Sequence, residues 1–281
     1  MSGVDGEILQ IEEIPAENSS PAGGIISVWT VNRPDKLNAL NSDVNEAIKH
    51  ACSVAEADDN VRVIVITGAA PNEPEEGKRA KPNSFVAGAD ISEFVGKSSQ
   101  DVQPIFSDNV CEHIWRLSKP VIAMIDGFAL GGGSEVALSC DLRLATPRSK
   151  FGTPEINLGI IPGYGGTQRL CRLLGYGKAI EMVMGGEMID GNEAYRIGLV
   201  NHLCEPEDLQ EMTMKIAQNL ASKSPHTIRV AKAAVRAALE LPLHEGILAE
   251  RSAFCNLFDT ADKEIGVNAF LNRESAEWTG A

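Results

Sequence analysis

The sequence predicts an α/β fold, in which buried strands alternate with helices, and three observations support it. First, short apolar runs bounded by polar residues, proline or glycine are typical of buried strands. They lie at Ile25–Val31, Val61–Gly68 and Val121–Ile125. Second, a strand, a turn of small residues and a helical segment recur in that order over 63–91 and 121–140. Third, the pattern beyond residue 176 is mostly helical, so a helical region should follow the α/β core.

The N-terminal part of the chain should supply two strands and a helix. A short strand is predicted at 7–11, ahead of the one at Ile25–Val31, and 33–40 connects the latter to the helix. Ser42 is predicted as the N-cap of that helix, which should run to about Ala57, because a serine hydroxyl can accept a hydrogen bond from the first turn.

Two further segments precede the central stretch. The prolines and mixed charges of 69–84 predict a mobile loop, and 85–91 returns to ordered structure through a turn of small residues. A helix is then predicted over 102–117, where apolar residues recur at roughly helical spacing.

The stretch 121–141 is the centre of the predicted site. Consecutive glycines at 131–133 join the buried strand to a helical segment, and glycines cost chain entropy unless the backbone must approach something closely. A helix N-terminus there would offer unpaired N–H donors and a partial positive charge, which suit an anion or a developing oxyanion. Glu135 lies within about one turn of those donors. Close packing is the alternative, since Glu is favoured in a first helical turn without doing chemistry.

Three common glycine motifs are absent. A dinucleotide fingerprint needs G-x-G-x-x-G, which 127–131 does not provide. A phosphate loop ending at Gly96-Lys97-Ser98 would need glycine at position 91, which is isoleucine. A G-x-S-x-G elbow around Ser134 fails because position 136 is valine.

After the central stretch, a short strand is predicted at Leu142–Ala145 and a loop at 151–159, where Glu155 is a second candidate carboxylate. A helix should then begin within 160–167 and run through Leu174. Further helices are predicted at 207–222, 225–240 and 244–258.

The composition narrows the function. The chain of 281 residues carries a net charge of −14, with 43% apolar and 23% charged residues, which argues against general binding of nucleic acid or anionic membranes. No apolar run approaches the length of a membrane span, and no signal peptide opens the sequence. Scattered cysteines without a C-x-x-C pair are typical of reduced thiols, so a soluble cytoplasmic protein is expected. No H-E-x-x-H motif or histidine pair supports a metal site.

Several motifs together resemble the enoyl-CoA hydratase/isomerase (crotonase) family, in the right order from about residue 25 to 271. They are Phe85-Val-Ala-Gly-Ala-Asp-Ile91, Gly127-Phe-Ala-Leu-Gly-Gly-Gly-Ser-Glu135, Cys140-Asp141, Phe151-Gly-Thr-Pro-Glu155 and Gly165-Gly-Thr-Gln-Arg-Leu170. The resemblance implies a crotonase-like spiral of ββα repeats over 1–200 and a helical C-terminal region over 201–281. That region would mediate trimers, commonly paired into hexamers.

The resemblance also implies the site. The backbone N–H groups of Ala89 and Gly132 would form an oxyanion hole for a thioester carbonyl, and Glu135 and Glu155 would share the acid and base tasks of hydration. Coenzyme A, as part of the substrate, would contact Ala87, Ala89, Asp90, Ile91, Ser92 and Gly132, with Lys36 and Leu37 near its pantetheine or phosphates. No separate cofactor or metal is implied. The chain departs from the common pattern at Ser92, where many members have lysine, and in the long 69–84 loop.

The expected activity is that of an enoyl-CoA hydratase, or of a 3-hydroxyacyl-CoA dehydratase in the reverse direction. The alternatives are an enoyl-CoA delta-isomerase or another acyl-CoA lyase of the family. A non-catalytic binding protein on the same scaffold is a further alternative, against which the two retained glutamates argue. RNA binding is disfavoured by the net charge of −14.

Overall fold

The computed structural model describes residues 7–17, 19–20, 23–74, 77 and 79–281. Its strands are β1 (Leu9–Pro15), β2 (Ile25–Val31), β3 (Val61–Gly68), β4 (Ser84–Val86), β5 (Val121–Ile125), β6 (Phe128–Leu130), β7 (Leu142–Ala145), β8 (Lys150–Gly152), β9 (Ile189–Asp190) and β10 (His202–Leu203). Its α-helices are α1 (Ser42–Ala57), α2 (Ser99–Ser107), α3 (Val110–Arg116), α4 (Gly132–Ser139), α5 (Gly166–Leu174), α6 (Tyr176–Gly185), α7 (Gly191–Arg196), α8 (Leu209–Ala221), α9 (Pro225–Glu240), α10 (Leu243–Leu257) and α11 (Ala261–Asn272). Short 3-10 helices lie at Pro34–Lys36, Ile91–Phe94 and Pro154–Leu158.

The core is built from repeated units of two strands and a helix. β3 and β4 are followed by α2 and α3, β5 and β6 by α4, and β7 and β8 by α5. The first strand of each unit joins a sheet ordered β1-β2-β3-β5-β7-β10, and the second joins a smaller sheet ordered β4-β6-β8-β9. Within each sheet these strands run parallel, whereas β1 pairs antiparallel with β2, and β9 with β8. The expected ββα repeats are therefore present.

The larger sheet is buried on both faces, which explains why its central strands are rich in consecutive apolar residues. On β3, Ile64 and Ile66 belong to a cluster that includes side chains of α1, α3 and α4, and Val63 and Val65 belong to a second cluster with α8. All four side chains are at most 1% exposed. Burying one such side chain contributes about 1.5–3 kcal/mol, so the sheet forms a rigid base for the turns that follow its strands.

Two helix predictions need correction. The N-cap of α1 is Asn41 and not Ser42: the Asn41 side chain accepts a hydrogen bond from the backbone N of Val44, and Ser42 is the first helical residue. The helix expected over 102–117 is two helices, α2 and α3. Asn109 separates them, because its side chain caps the new helix by accepting from the backbone N of Glu112.

The three long apolar strands and the strand at Leu142–Ala145 are confirmed, whereas shorter elements differ from expectation. The first strand lies at Leu9–Pro15 and not at 7–11. β6 and β8 occupy segments expected to be turn or loop, because three residues are too few to show a period. The predicted mobility of 69–84 stays a prediction, and residues 75–76 and 78 lie outside the described part.

The C-terminal helices divide into a packed part and an exposed part. α8 covers the second face of the sheet, and α9 is fixed to the core through Lys232 and Arg236, which both pair with Asp141. α10 and α11 instead expose large apolar side chains, among them Leu243 at 81% and Phe270 at 83%. The boundary between residues 200 and 201 stays a prediction. Among the described residues, no helix is long and apolar enough to cross a bilayer.

Candidate active site

The candidate site lies at the carboxyl ends of three adjacent parallel strands. β4, β6 and β8 are neighbours in the smaller sheet, and each is followed at once by one of the predicted site segments. Because the carboxyl ends of parallel strands meet at one edge of a sheet, segments distant in sequence converge there. They line an open cleft of about 540 Å³, a volume that includes the part open to solvent. Its walls include Ala87, Ala89, Ile91, Gly132, Glu135 and Glu155.

The two predicted amide donors flank one space. Gly88, with a φ of 110°, and Gly131, with a φ of 50°, supply left-handed backbone immediately before Ala89 and Gly132. A Cβ placed on Gly132 would lie 3.5 Å from the backbone N of Ala89. In the described part of the chain, neither amide donates a hydrogen bond. Two free donors on one small space are suited to a carbonyl oxygen that becomes negatively charged.

Leu40 holds the first donor in place. Its backbone N donates to the carbonyl of Gly88 at 2.8 Å, and its carbonyl accepts from the backbone N of Asp90 at 2.6 Å. These bonds bracket Ala89 on both sides and leave its own N–H unpaired. The turn after β4 is thus fixed by backbone contacts that no side-chain change would remove.

Glu135 is a buried carboxylate in the first turn of α4, with 2% of its surface exposed. Its Oε1 accepts hydrogen bonds from the backbone N of Tyr164 and of Gly166, each at 2.7 Å. Burial raises its pKa to about 7, with a further increase from the charge of Glu155, while the Gly166 and Tyr164 amides and the charge of Arg169 act in the opposite direction. Both protonation states of Glu135 are therefore accessible near neutral pH.

Glu155 faces the same space from the 3-10 helix after β8. A Cβ placed on Gly131 would lie 2.9 Å from Glu155 Oε1, which shows how close this carboxylate lies to the glycine turn before α4. Its Oε2 is buried and has no hydrogen-bond partner among the described residues. Burial raises the pKa of Glu155 as well. The cleft thus holds two carboxylates whose pKa values are both raised by burial.

Aromatic side chains form the apolar wall of the cleft. Phe106 stacks on Tyr164, with ring centroids 4.8 Å apart and an interplanar angle of 28°, and Phe94 lies 6.3 Å from Phe106. Phe106 lies within the helix predicted over 102–117 and Tyr164 within the predicted helix start at 160–167, and neither residue was expected in the site. No local sequence pattern distinguishes an aromatic residue of the cleft from one of the core, so only the tertiary structure shows that these two residues line the site.

Four of the predicted coenzyme A contacts lie outside the lining of the cleft: Lys36, Leu37, Asp90 and Ser92. Asp90 accepts a hydrogen bond from Ser92 Oγ at 2.6 Å and pairs with Arg33 at 3.0 Å, and these bonds lower its pKa. The Leu37 carbonyl accepts from the backbone N of Ala87 at 3.1 Å, which places exposed Lys36 beside the same turn. Ala87 and Ile91 do line the cleft.

Lys81 is a basic residue near this turn that the sequence analysis did not single out. Its Nζ donates to the carbonyl of Asp35 at 2.9 Å, so it lies close to Lys36. No local motif marks it, because its place depends on how the 69–84 segment folds back. As for metals, the described residues contain no group of three or more potential ligands.

Comparison with known proteins identifies the family to which this arrangement belongs. Residues 22–281 match the model of the enoyl-CoA hydratase/isomerase family. The chain is 39% identical to a short-chain-enoyl-CoA hydratase of Clostridium acetobutylicum over 256 residues, covering 90% of this chain and 94% of that protein. It is also 39% identical to a crotonyl-CoA hydratase of Syntrophomonas wolfei, covering 90% and 94% of the two chains.

Solved structures agree with this assignment. The fold is similar to that of an enoyl-CoA hydratase from Bacillus anthracis, with a TM-score of 0.87, 32% identity and coverage of 98% of this chain and 100% of that one. A second enoyl-CoA hydratase structure, from Geobacillus kaustophilus, gives a TM-score of 0.86 at 35% identity, covering 99% and 100% of the two chains. The chain belongs to the enoyl-CoA hydratase/isomerase family and has its crotonase fold.

Proposed function

We propose that this chain is an enoyl-CoA hydratase that adds water across the 2,3-double bond of an acyl-CoA thioester. The observation that carries the proposal is one cleft in which two carboxylates, Glu135 and Glu155, face two unpaired backbone amides. The names of the relatives, short-chain-enoyl-CoA and crotonyl-CoA hydratase, support the same reaction. Because the addition is reversible, the same groups would dehydrate a 3-hydroxyacyl-CoA.

The amides of Ala89 and Gly132 would bind the thioester oxygen. When water oxygen attacks C3, the electrons of the double bond move towards the carbonyl and the thioester becomes an enolate. Preformed donors stabilise that charge more than they stabilise the neutral carbonyl, and one such donor contributes about 10²–10³ in rate. The low polarity of the aromatic wall strengthens the effect.

The two carboxylates would handle the protons. One, ionised, accepts a proton from the attacking water, whose oxygen bonds to C3. The other, protonated, gives its proton to C2 as the enolate collapses, so one water is added and the pair exchanges its proton. The raised pKa values of both groups favour this sharing, because two nearby carboxylates in a desolvated site do not ionise together easily. An isomerase needs only one such group, so the pair favours hydration.

The substrate would extend in both directions from the amide pair. Its acyl chain would lie against Phe94, Phe106 and Tyr164, and its pantetheine would pass the turn formed by Ala87 and Ile91. Lys36 and Lys81 lie beyond this turn, where they would attract the phosphates of coenzyme A. We propose no separate cofactor and no metal.

The assembly and the location are also proposals. The exposed apolar side chains of α10 and α11, such as Leu243, Phe254 and Phe270, support a homotrimer or homohexamer in which partner subunits cover them. All six cysteines are free, which fits the reducing cytoplasm. The net charge of −14 argues against nucleic acid or an anionic membrane as a partner.

A panel of thioesters tests the activity. Crotonyl-CoA and longer 2-enoyl-CoA compounds should be hydrated, 3-hydroxybutyryl-CoA should be dehydrated, and 3-enoyl-CoA compounds should be poor substrates. Conversion of 3-enoyl-CoA without hydration of any 2-enoyl-CoA would instead identify an isomerase. The absence of turnover with every member would point to a non-catalytic binding protein.

A further inference from the structure

The carboxylate of Glu135 is positioned by a segment outside its own helix. Its two amide donors, Tyr164 and Gly166, belong to the turn that leads into α5. Between them Gly165 has a φ of 98°, which L side chains rarely adopt. The direction of both N–H groups therefore depends on how this turn is held.

Arg169 holds that turn from behind. Its Nη1 donates to the carbonyl of Tyr164 at 2.7 Å, and its backbone N donates to the carbonyl of Gly165 at 2.9 Å. The side chain is 13% exposed, so these bonds form largely away from water. Arg169 thus fixes the peptide between Tyr164 and Gly165, which lies between the two peptides that donate to Glu135.

Arg169 is itself fixed on two sides. Its Nη2 donates to Glu112 Oε1 at 2.8 Å, and its guanidinium lies 5.4 Å from the ring centroid of Trp115. Arg236 of α9 lies 4.0 Å from the centroid of the same ring. A planar guanidinium with five donors can make these contacts at once, whereas a lysine ammonium cannot.

We infer that Arg169 is a positioning residue for Glu135: it fixes the Tyr164 peptide so that both amides of the turn meet Glu135 Oε1, and it places a positive charge behind the carboxylate. The inference rests on the proposed hydration and deepens it. Arg169 does not line the cleft among the described residues, so it acts through the turn and not on the substrate.

The test uses the pH dependence of kcat. The groups that face Glu135 are the carboxylate of Glu155, the guanidinium of Arg169, the thiol of Cys111 on α3 and the phenol of Tyr164. Of these, Arg169 lowers the pKa of Glu135. Removing its charge should therefore raise the kinetic pKa that is lost in Glu135→Gln.

Arg169→Met should lower kcat for crotonyl-CoA by about 10- to 100-fold, because a displaced acid–base group loses its alignment. KM should change little, and the kinetic pKa should rise. Arg169→Lys keeps the charge without the fork, so kcat should fall with a smaller change in pKa. Arg172→Met is the matched control on α5: Arg172 donates to the carbonyl of Leu239 at 3.1 Å, away from the cleft, and both kcat and pKa should be retained.

The outcomes separate this inference from the proposed function. A wild-type protein that hydrates no enoyl-CoA would refute the function, whatever Arg169 does. An active wild type with a folded Arg169→Met variant of unchanged kcat and pH profile would overturn the inference alone. If Arg169→Met does not fold, Arg169→Lys and Glu112→Gln decide. Glu112→Gln weakens the bond to Nη2, and a severalfold lower kcat is expected. Unchanged kcat in both variants would equally overturn it.

Discussion

Two groups of polar side chains, one around Asp141 and one in the cleft, differ in how completely their charges are paired. Asp141, beneath α9, accepts hydrogen bonds from the backbone N of Val121 at 2.8 Å and from Arg236 at 2.8 Å, and pairs with Lys232 at 2.7 Å. In the cleft, Glu135 is bonded to two backbone amides, and Glu155 Oε2 has no partner among the described residues. One carboxylate is neutralised by cations, and the other two are not.

The difference separates a structural cluster from a reaction site. A buried charge is costly unless it is paired, so the Asp141 cluster fixes α9 to the sheet with its charges compensated. In the cleft, no cation bonds directly to Glu135 among the described residues, and burial raises its pKa to about 7 although the charge of Arg169 acts in the opposite direction. Free acceptors and free amide donors are retained at a cost in stability, which is expected where a substrate supplies the missing partners.

The largest expected effect is the loss of turnover when either cleft carboxylate, Glu135 or Glu155, is replaced; these two residues form the unpaired group. Glu135→Gln and Glu155→Gln should each lower kcat for crotonyl-CoA hydration by about 10²–10⁴, the usual contribution of an acid–base group. Glutamine has nearly the same shape, so the oligomer size and circular dichroism should be retained. Steady-state hydration rates of the two purified variants measure the effect. Near-normal turnover by either folded variant would remove that residue from the proposed chemistry.

The paired group, which consists of Asp141, Lys232 and Arg236, should instead affect stability and leave turnover unchanged. Asp141→Asn leaves Lys232 and Arg236 without their counter-charge, which should lower the unfolding free energy by about 3 kcal/mol, the lower end for a broken buried pair. The lower end applies because Asp141 is 23% exposed. Urea unfolding of the variant and the wild type measures it, and activity per folded molecule should stay near the wild-type value. An Asp141→Asn variant that loses activity but keeps its stability would contradict the purely structural role of this group.

The unpaired group should also give stability a pH dependence. The folded state raises the pKa of Glu135 from 4.5 to about 7, so its proton is held more tightly than in the unfolded chain. The contribution is fully present below about pH 4.5 and is lost as the pH rises through about 7, a change of about 3 kcal/mol. Glu135→Gln removes it.

Urea unfolding at about pH 4.5 and about pH 8 tests this contribution. The stability of Glu135→Gln relative to the wild type should increase by about 3 kcal/mol across this range. A constant difference between Glu135→Gln and the wild type would show that Glu135 is not desolvated in the free protein.

The smallest expected effect is a change in KM when an exposed lysine near the Ala87 turn, Lys36 or Lys81, is replaced. Unlike buried Lys232, Lys36 and Lys81 are solvated, so replacing either with alanine should leave stability unchanged. If they attract the phosphates of coenzyme A, KM for crotonyl-CoA should rise by about two- to fivefold, since an exposed charge contributes below about 1 kcal/mol. Crotonyl-pantetheine lacks the nucleotide phosphates and should show no change. An equal rise with both substrates would place the lysines elsewhere in binding.

Much of the fold could be predicted from the sequence, because the long strands have both faces buried and are therefore rich in consecutive apolar residues. The pair of glutamates and the glycine turns were also readable, since each belongs to a local motif. The helix boundaries were harder to predict, because neighbouring polar residues can each serve as the N-cap. Asn41 caps α1 one residue before the expected Ser42, and Asn109 starts a new helix within 102–117.

The features that the sequence did not predict depend on how strands pair and how distant segments meet in the fold. β6 and β8 are three residues each, yet their pairing with β4 brings the turns at Ala89, Gly132 and Glu155 to one edge. The amides of Tyr164 and Gly166 reach Glu135 from 29 and 31 residues away, which no local spacing reveals.

The central claim is that the amides of Ala89 and Gly132 bind the reacting carbonyl, and adjacent glycines test it most directly. A Cβ on Gly132 would lie 3.3 Å from Leu40 Cδ1 and 3.5 Å from the Ala89 backbone N, so alanine nearly fits while it intrudes between the donors. A Cβ on Gly133 would lie 1.9 Å from the carbonyl oxygen of Val86, which the fold cannot accept.

The measurement is crotonyl-CoA hydration by Gly132→Ala, with circular dichroism and elution volume on the same preparation and Gly133→Ala alongside. Gly132→Ala should keep the native signals and lose about 10²-fold or more of turnover, the contribution of one oxyanion donor. Gly133→Ala should misfold. A folded Gly132→Ala protein with wild-type turnover would show that the thioester oxygen binds elsewhere.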